Sequence, residues 1–137
     1  MKNSLLGLLG LTLIFVAYNN KNIKGEDYQS FLNKCKEKQQ YGILILSSQS
    51  CQYCIKLVDK VVQPHLTPIH DAGYNVYVIK QEVEPKIFRA YAAKFQGKIP
   101  SYFIVDGNYI FYKGLGYKNW NEFVEWLNEG TNKISQQ

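Results

Sequence analysis

Cys51 and Cys54 stand two residues apart, with Gln52 and Tyr53 between them. An apolar, β-favouring run, Ile43-Leu44-Ile45-Leu46, precedes them and breaks into the polar Ser47-Ser48-Gln49-Ser50. After them Ile55, Val58, Val61 and Val62 recur at helical spacing, with Lys56, Asp59 and Lys60 interspersed. The pattern predicts a buried strand, a turn, and a helix that opens on Cys51. Unpaired backbone N–H groups and the positive end of the helix dipole at such a position both favour a thiolate. A thiolate is the species that attacks disulfides. The second cysteine, one helical turn on, can then resolve the mixed disulfide. The expected chemistry is thiol–disulfide exchange, with Cys51 attacking and Cys54 resolving. Lys56 is spaced to bias the thiolate electrostatically, although a plain surface lysine fits the same position.

A Cys-x-x-Cys pair is also half of many zinc sites. Cys51, Cys54, His65 and His70 have ten residues between the pairs and four between the histidines. A zinc finger needs about twelve residues there and both histidines on one helix face. Pro64 and Pro68 lie in that segment and are expected to end the helix. The histidines are therefore read as loop residues without a role, and no metal or organic cofactor is implied. The dithiol pair is itself the redox group.

The chain's 137 residues, 46% hydrophobic and 20% charged, are enough for one globular domain with its own core. The net charge of +5 comes from dispersed lysines rather than from a stripe or motif, so nucleic acid is not an expected partner. Three cysteines make an odd count, so at least one stays reduced or pairs outside the chain. Cys35 falls on the apolar face of a predicted helix, with Tyr28, Phe31 and Leu32. It is expected to be a small core residue, with a redox or disulfide role as the alternative.

The elements that must position the pair follow in order. Residues 26–40 predict an amphipathic helix, residues 43–47 a central strand, and residues 51–62 a second helix. Residues 74–79 alternate as a strand after the turn Asp71-Ala72-Gly73. Pro85 opens a third helix whose inner face carries Ile87, Phe88, Tyr91, Ala92 and Phe95, and Gly97 marks its end. Ile99-Pro100 leads into a strand over 102–105, and Asp106-Gly107-Asn108 turns into another over 109–112. Gly114 and Gly116 break the chain. Asn119 and Glu122 form a capping pair for a last helix, with Trp120, Phe123, Trp126 and Leu127 inward and Gly130 at its close. The two strands flanking a helical crossover are expected to be parallel, with an antiparallel hairpin completing the sheet.

Residues 1–20 differ from the rest. Lys2 precedes an uncharged apolar run over 5–18, which reads as a secretory signal peptide or an uncleaved membrane anchor. Phe15 is too bulky for a small-x-small cleavage site ending at Ala17, and a bilayer asks for about twenty apolar residues. Export is expected in either case. The chain would then be extracytoplasmic, periplasmic or secreted, and anchored in the inner membrane through 5–18 if the leader stays on. Residues 26–130 are expected to form the domain and 131–137 a polar tail.

The element order, with Cys51-Gln52-Tyr53-Cys54 after the first central strand, resembles the thioredoxin family over residues 26–130. Further support comes from Phe95-Gln96-Gly97-Lys98-Ile99-Pro100 before the hairpin and Tyr112-Lys113-Gly114-Leu115-Gly116-Tyr117 after it. The resemblance implies an α/β thioredoxin-like fold, a central mixed sheet flanked by helices, and an oxidoreductase acting on protein thiols and disulfides with a redox partner protein. It implies that Pro100 is cis and, with Ile99, shapes a groove beside the cysteines where neighbouring backbone bonds an extended substrate. Thioredoxins proper carry Trp before the first cysteine and Gly-Pro between the pair, where this chain has Ser50 and Gln52-Tyr53. The tyrosine beside the second cysteine is more like glutaredoxins and bacterial periplasmic disulfide isomerases. Where the family has a buried carboxylate, this chain has Ile45. Two alternatives keep the fold: an anchored binding or assembly module with a non-catalytic disulfide, and a cytosolic glutaredoxin-like enzyme, against which the leader argues.

Overall fold

The structure, a computed structural model, describes residues 27–136. The expected leader, 1–20, lies outside the described residues. Helix α1 is Tyr28–Lys38, opened by Asp27, whose carboxylate accepts from the Ser30 N–H at 2.8 Å. It buries Phe31, Leu32 and Cys35. Strand β1, Tyr41–Ser47, follows and starts two residues earlier than the apolar run.

β1 lies between two faces. Ile43 and Ile45 point into one core, with Tyr102, Ile104, Phe123 and Trp126. Leu44 and Leu46 point into the other, with Phe31, Phe88, Tyr91, Phe103 and Val105. Burial on both sides explains why the run does not alternate with polar residues.

Helix α2, Gln52–Lys56, continues without a loop as a π-helical segment, Leu57–Val62, and a 3₁₀ turn, Gln63–His65. Helix α3, Leu66–Asp71, follows directly. The expectation that Pro64 and Pro68 lead into a loop is thus overturned. Pro64 falls where the helix has tightened into the 3₁₀ turn, and Pro68 in the first turn of α3, where a backbone N–H has no helical acceptor to lose.

β2, Tyr74–Lys80, pairs parallel with β1 from Tyr41 opposite Tyr74 to Ser47 opposite Lys80. Helix α4, Pro85–Ala92, runs into a 3₁₀ turn, Ala93–Phe95. The turn before it ties α1 down: the Glu84 carboxylate accepts from the Tyr28 N–H at 3.1 Å and from the Tyr77 hydroxyl at 2.6 Å. β3, Ser101–Asp106, and β4, Tyr109–Leu115, form the antiparallel hairpin, with a bulge between Ile104 and Val105. β3 also pairs antiparallel with β1, giving the sheet order β2-β1-β3-β4.

β4 extends to Leu115 rather than stopping at Tyr112, because Gly114 is a paired strand residue beneath two rings. Helix α5, Trp120–Ser135, carries the expected capping box of Asn119 and Glu122. It runs straight through Gly130, so that glycine does not close it, and the segment read as tail is helical to Ser135. A Cβ at Gly130 would stand 2.3 Å from Ile104 Cδ1. Close packing on the sheet, not termination, explains the glycine.

The result is a mixed four-stranded sheet flanked by helices. The α2–α3 run and α5 cover one face, and α1 and α4 the other.

Candidate active site

The turn from β1 into α2 is tightly bonded. The Gln81 N–H donates to the Ser47 carbonyl at 3.0 Å, and the Cys51 N–H to the Ser48 carbonyl at 3.0 Å. The Ser48 hydroxyl accepts from the Ser50 N–H at 3.3 Å and lies 3.1 Å from the Ser50 hydroxyl. From the turn after β2, the Glu82 carboxylate reaches across to accept from the Gln49 N–H at 2.8 Å. That bond holds its carboxyl below the usual value for Glu.

Cys51 is the N-cap of α2, with φ −103° and ψ 99°. Its Sγ accepts from the Cys54 N–H at 3.2 Å, as a capping oxygen would. Cys51 and Cys54 are joined in a disulfide, with their Cα atoms 5.2 Å apart. The two cysteines are not equivalent: Cys51 is half-buried, while Cys54 is fully buried. Gln52 and Tyr53 between them face solvent, Tyr53 at 63% exposure.

The Ile99-Pro100 peptide is cis, with Ile99 half-buried and Pro100 buried. The β1–β3 register pairs Ile45 with Tyr102. Carried two residues further, it sets Pro100 at the level of Ser47, at the sheet end where the chain turns towards Cys51. The Pro100 carbonyl accepts from the Gly116 N–H at 2.8 Å, and the Gly116 carbonyl from the Tyr102 hydroxyl at 2.9 Å. Burial raises the Tyr102 phenol above its ordinary range, so the hydroxyl stays a donor. This bridge fixes Tyr117, whose ring lies 6.2 Å from that of Tyr53 and 4.9 Å below the Lys56 ammonium.

The residues singled out from sequence, Cys51, Gln52, Tyr53, Cys54, Lys56, Ile99 and Pro100, thus stand at one end of the sheet. Sequence reasoning assigned no role to Glu82, and Tyr117 appeared only as part of a motif. The Glu82 contact spans 33 positions and leaves no local signal.

Elsewhere the histidines prove helical. His65 ends the 3₁₀ turn, donates from Nδ1 to the Val61 carbonyl at 2.7 Å, and stacks 3.8 Å from Trp120. His70 is exposed on α3. Among the described residues no group of three His, Cys, Asp or Glu side chains is placed to hold a metal. Ile45 is fully buried, and no buried side chain among the described residues is a carboxylate. Cys35 is buried at 6% exposure in the α1–α4 core.

No protein-family model matches the chain, and no curated protein matches it either. Among solved structures, it is similar to the solution structure of a thioredoxin from Thermus thermophilus. The TM-score is 0.60 at 16% identity, over 74% of this chain and 82% of that one. The fold is thioredoxin-like, and with its close cysteine pair it is compatible with thiol–disulfide exchange.

Proposed function

We propose that this chain is a thiol–disulfide oxidoreductase that exchanges disulfides with protein substrates through Cys51 and Cys54. The observation that carries the reading is the asymmetry of the pair. Cys51 is half-buried at a helix start with its sulfur bonded by a backbone N–H, and Cys54, one turn on, is fully buried.

In the reducing direction the Cys51 thiolate attacks a substrate disulfide. A Cys51–substrate S–S bond forms, and one substrate sulfur leaves as a thiolate. Cys54 then gives up its proton and attacks Cys51 Sγ, closing the Cys51–Cys54 bond and expelling the second substrate sulfur, which takes a proton up. Two electrons pass from protein to substrate. The same steps in reverse oxidise a substrate dithiol, and a redox partner protein restores the starting state. The helix-start N–H groups stabilise the attacking thiolate. The cis Ile99-Pro100 segment lines the groove in which an extended substrate strand bonds backbone. The apolar leader supports an extracytoplasmic site of action, with attachment to the membrane through 5–18 if it is retained.

Cys54→Ser tests this reading. It leaves Cys51 able to attack but removes the resolving thiol, so disulfide-linked adducts accumulate on a non-reducing gel and vanish with reductant. Cys51→Ser should trap far less, and Cys35→Ser should change nothing. If Cys54→Ser captures no partner while the wild-type pair stays oxidised under mild reductant, catalysis is refuted. A binding module with a static disulfide then takes its place.

A further inference from the structure

Large apolar side chains are exposed around the cysteine pair: Tyr53 at 63%, Ile55 at 40% and, at the end of β4 opposite Ser101, Leu115 at 36%. Their clustering at one end of the sheet marks a surface that a partner covers. One part of it is built rather than merely exposed. Tyr53 and Lys56 are three residues apart on α2, so they share a helix face. Both converge on Tyr117, which follows Gly116, a residue bonded to the Pro100 carbonyl and to the Tyr102 hydroxyl. Among the described residues the Lys56 ammonium meets this ring and no carboxylate. A cation held over an aromatic face loses little further freedom when it pairs with an anion.

Glu82 follows β2 at one edge of the sheet, where its carboxylate is bonded to the Gln49 N–H and lies near Lys80. Tyr117 follows β4 at the other edge, and Lys56 of α2 stands over its ring. The Lys56 ammonium is the charge that would draw an acidic side chain.

We propose that Tyr53, Tyr117 and Lys56 form a recognition shelf that selects extended polypeptides carrying an acidic residue within one or two positions of their reactive cysteine. The partner's apolar atoms rest on the Tyr53 ring, and its carboxylate pairs with Lys56. This rests on the exchange reading above and adds the class of substrate.

The test uses the reduced full chain and three synthetic peptides. They are identical except for Glu, Gln or Lys beside a single cysteine, which is capped as a thiopyridyl mixed disulfide. Cys51 bonds to the peptide sulfur, the thiopyridyl sulfur leaves and is protonated to thiopyridone, and Cys54 then releases the peptide thiol. Thiopyridone absorbance reports the rate. At low salt the Glu peptide should react about threefold faster than the Gln peptide, and the Lys peptide more slowly than either, as an exposed ion pair allows. About 1 M salt should erase the order. Lys56→Gln should bring the Glu-to-Gln ratio to one, Tyr117→Leu should reduce it, and Lys86→Gln should leave it as in wild type. Equal wild-type rates for all three peptides, or preference for the Lys peptide, overturn the shelf. So does a salt-sensitive dimer that buries Tyr53, since a second copy would then be the occupant. Absence of reaction with any peptide refutes the exchange reading itself.

Discussion

Gly114→Ala should be among the most damaging single-methyl changes in this protein. A Cβ there would stand 2.2 Å from Tyr102 Cε2 and 2.6 Å from Trp126 Nε1, where ordinary contacts begin near 3.4 Å. Neither ring can yield. Tyr102 is fully buried, and the two rings meet edge to face at 4.8 Å. Each is also tethered, Trp126 by donating to the Lys113 carbonyl at 3.0 Å and Tyr102 by donating to the Gly116 carbonyl at 2.9 Å. Overpacking of this kind costs about 1–3 kcal/mol, and each strained hydrogen bond about 1 kcal/mol more. The expected loss is about 3–5 kcal/mol, a large share of a stability of roughly 5–15 kcal/mol. At about 4 °C per kcal/mol for a domain of this size, the melting temperature falls by about 12–20 °C. Gly130→Ala is the control. Its Cβ meets the tip of Ile104 at 2.3 Å and Tyr112 Cδ2 at 3.1 Å. The atom met at 2.3 Å is the end of an aliphatic side chain rather than a tethered ring, so overpacking of about 1–3 kcal/mol is offset by about 1 kcal/mol of helix propensity that alanine gains over glycine. Gly130→Ala should therefore cost less, about 0–2 kcal/mol. Thermal and urea unfolding followed by circular dichroism measure both. A Gly114→Ala loss below about 1 kcal/mol, or a larger loss for Gly130→Ala, refutes the packing argument.

After reduction, alkylation at graded pH should modify Cys51 at lower pH than Cys54; the opposite order contradicts the assignment of roles. Glu82→Ala should hasten hydrogen exchange at the Gln49 amide with little change in melting temperature, and unchanged protection would show that the carboxylate does not hold the turn. The same clamp is pH-dependent: the carboxyl of Glu82 is held below 4.5, so its contribution is present above that pH and lost as pH falls beneath it. The phenols of Tyr91 and Tyr102 are raised above 10.0 by burial, so the stability they confer is full below pH 10 and declines above it. Unfolding midpoints that stay constant as pH rises past 10 would count against that burial.

What the sequence made legible was local. Four apolar residues in a row announced β1, Asp-Gly-Asn announced the hairpin, and Asn119 with Glu122 announced α5, because each signal lies within a few positions of the structure it produces. The misreadings share the opposite cause. Gly114 and Gly130 look like breakers in sequence, and only the neighbours that crowd them, Tyr102 and Trp126 for one and Ile104 for the other, show that they are contact points. Pro64 and Pro68 look like stops, but their effect depends on whether an N–H is needed there, which the phase of the helical turns decides. His65 drew notice as a ligand, and its ring is instead spent on Trp120, 55 positions away in the chain. The Cys-x-x-Cys pair and Ile99-Pro100 were legible because each needs an unusual backbone or chemistry. The platform that joins them, Tyr117 held through Gly116, was hidden in two long-range bonds.

Ile45, where the resemblance implied a buried carboxylate, bears on how the second step of the proposed exchange would proceed. Cys54 is fully buried, and burial opposes its ionisation. No buried side chain among the described residues is a carboxylate, so in the proposed exchange the departing substrate sulfur, or water entering with the substrate, would take the proton. The first step has no such obstacle, since Cys51 is half-exposed and its sulfur already accepts a backbone N–H. In the proposed exchange release is therefore the more demanding step, and Cys54→Ser, which removes it altogether, is the variant in which adducts should accumulate. In that proposed sequence the surface beside the pair would act on a partner during the interval between attack and release.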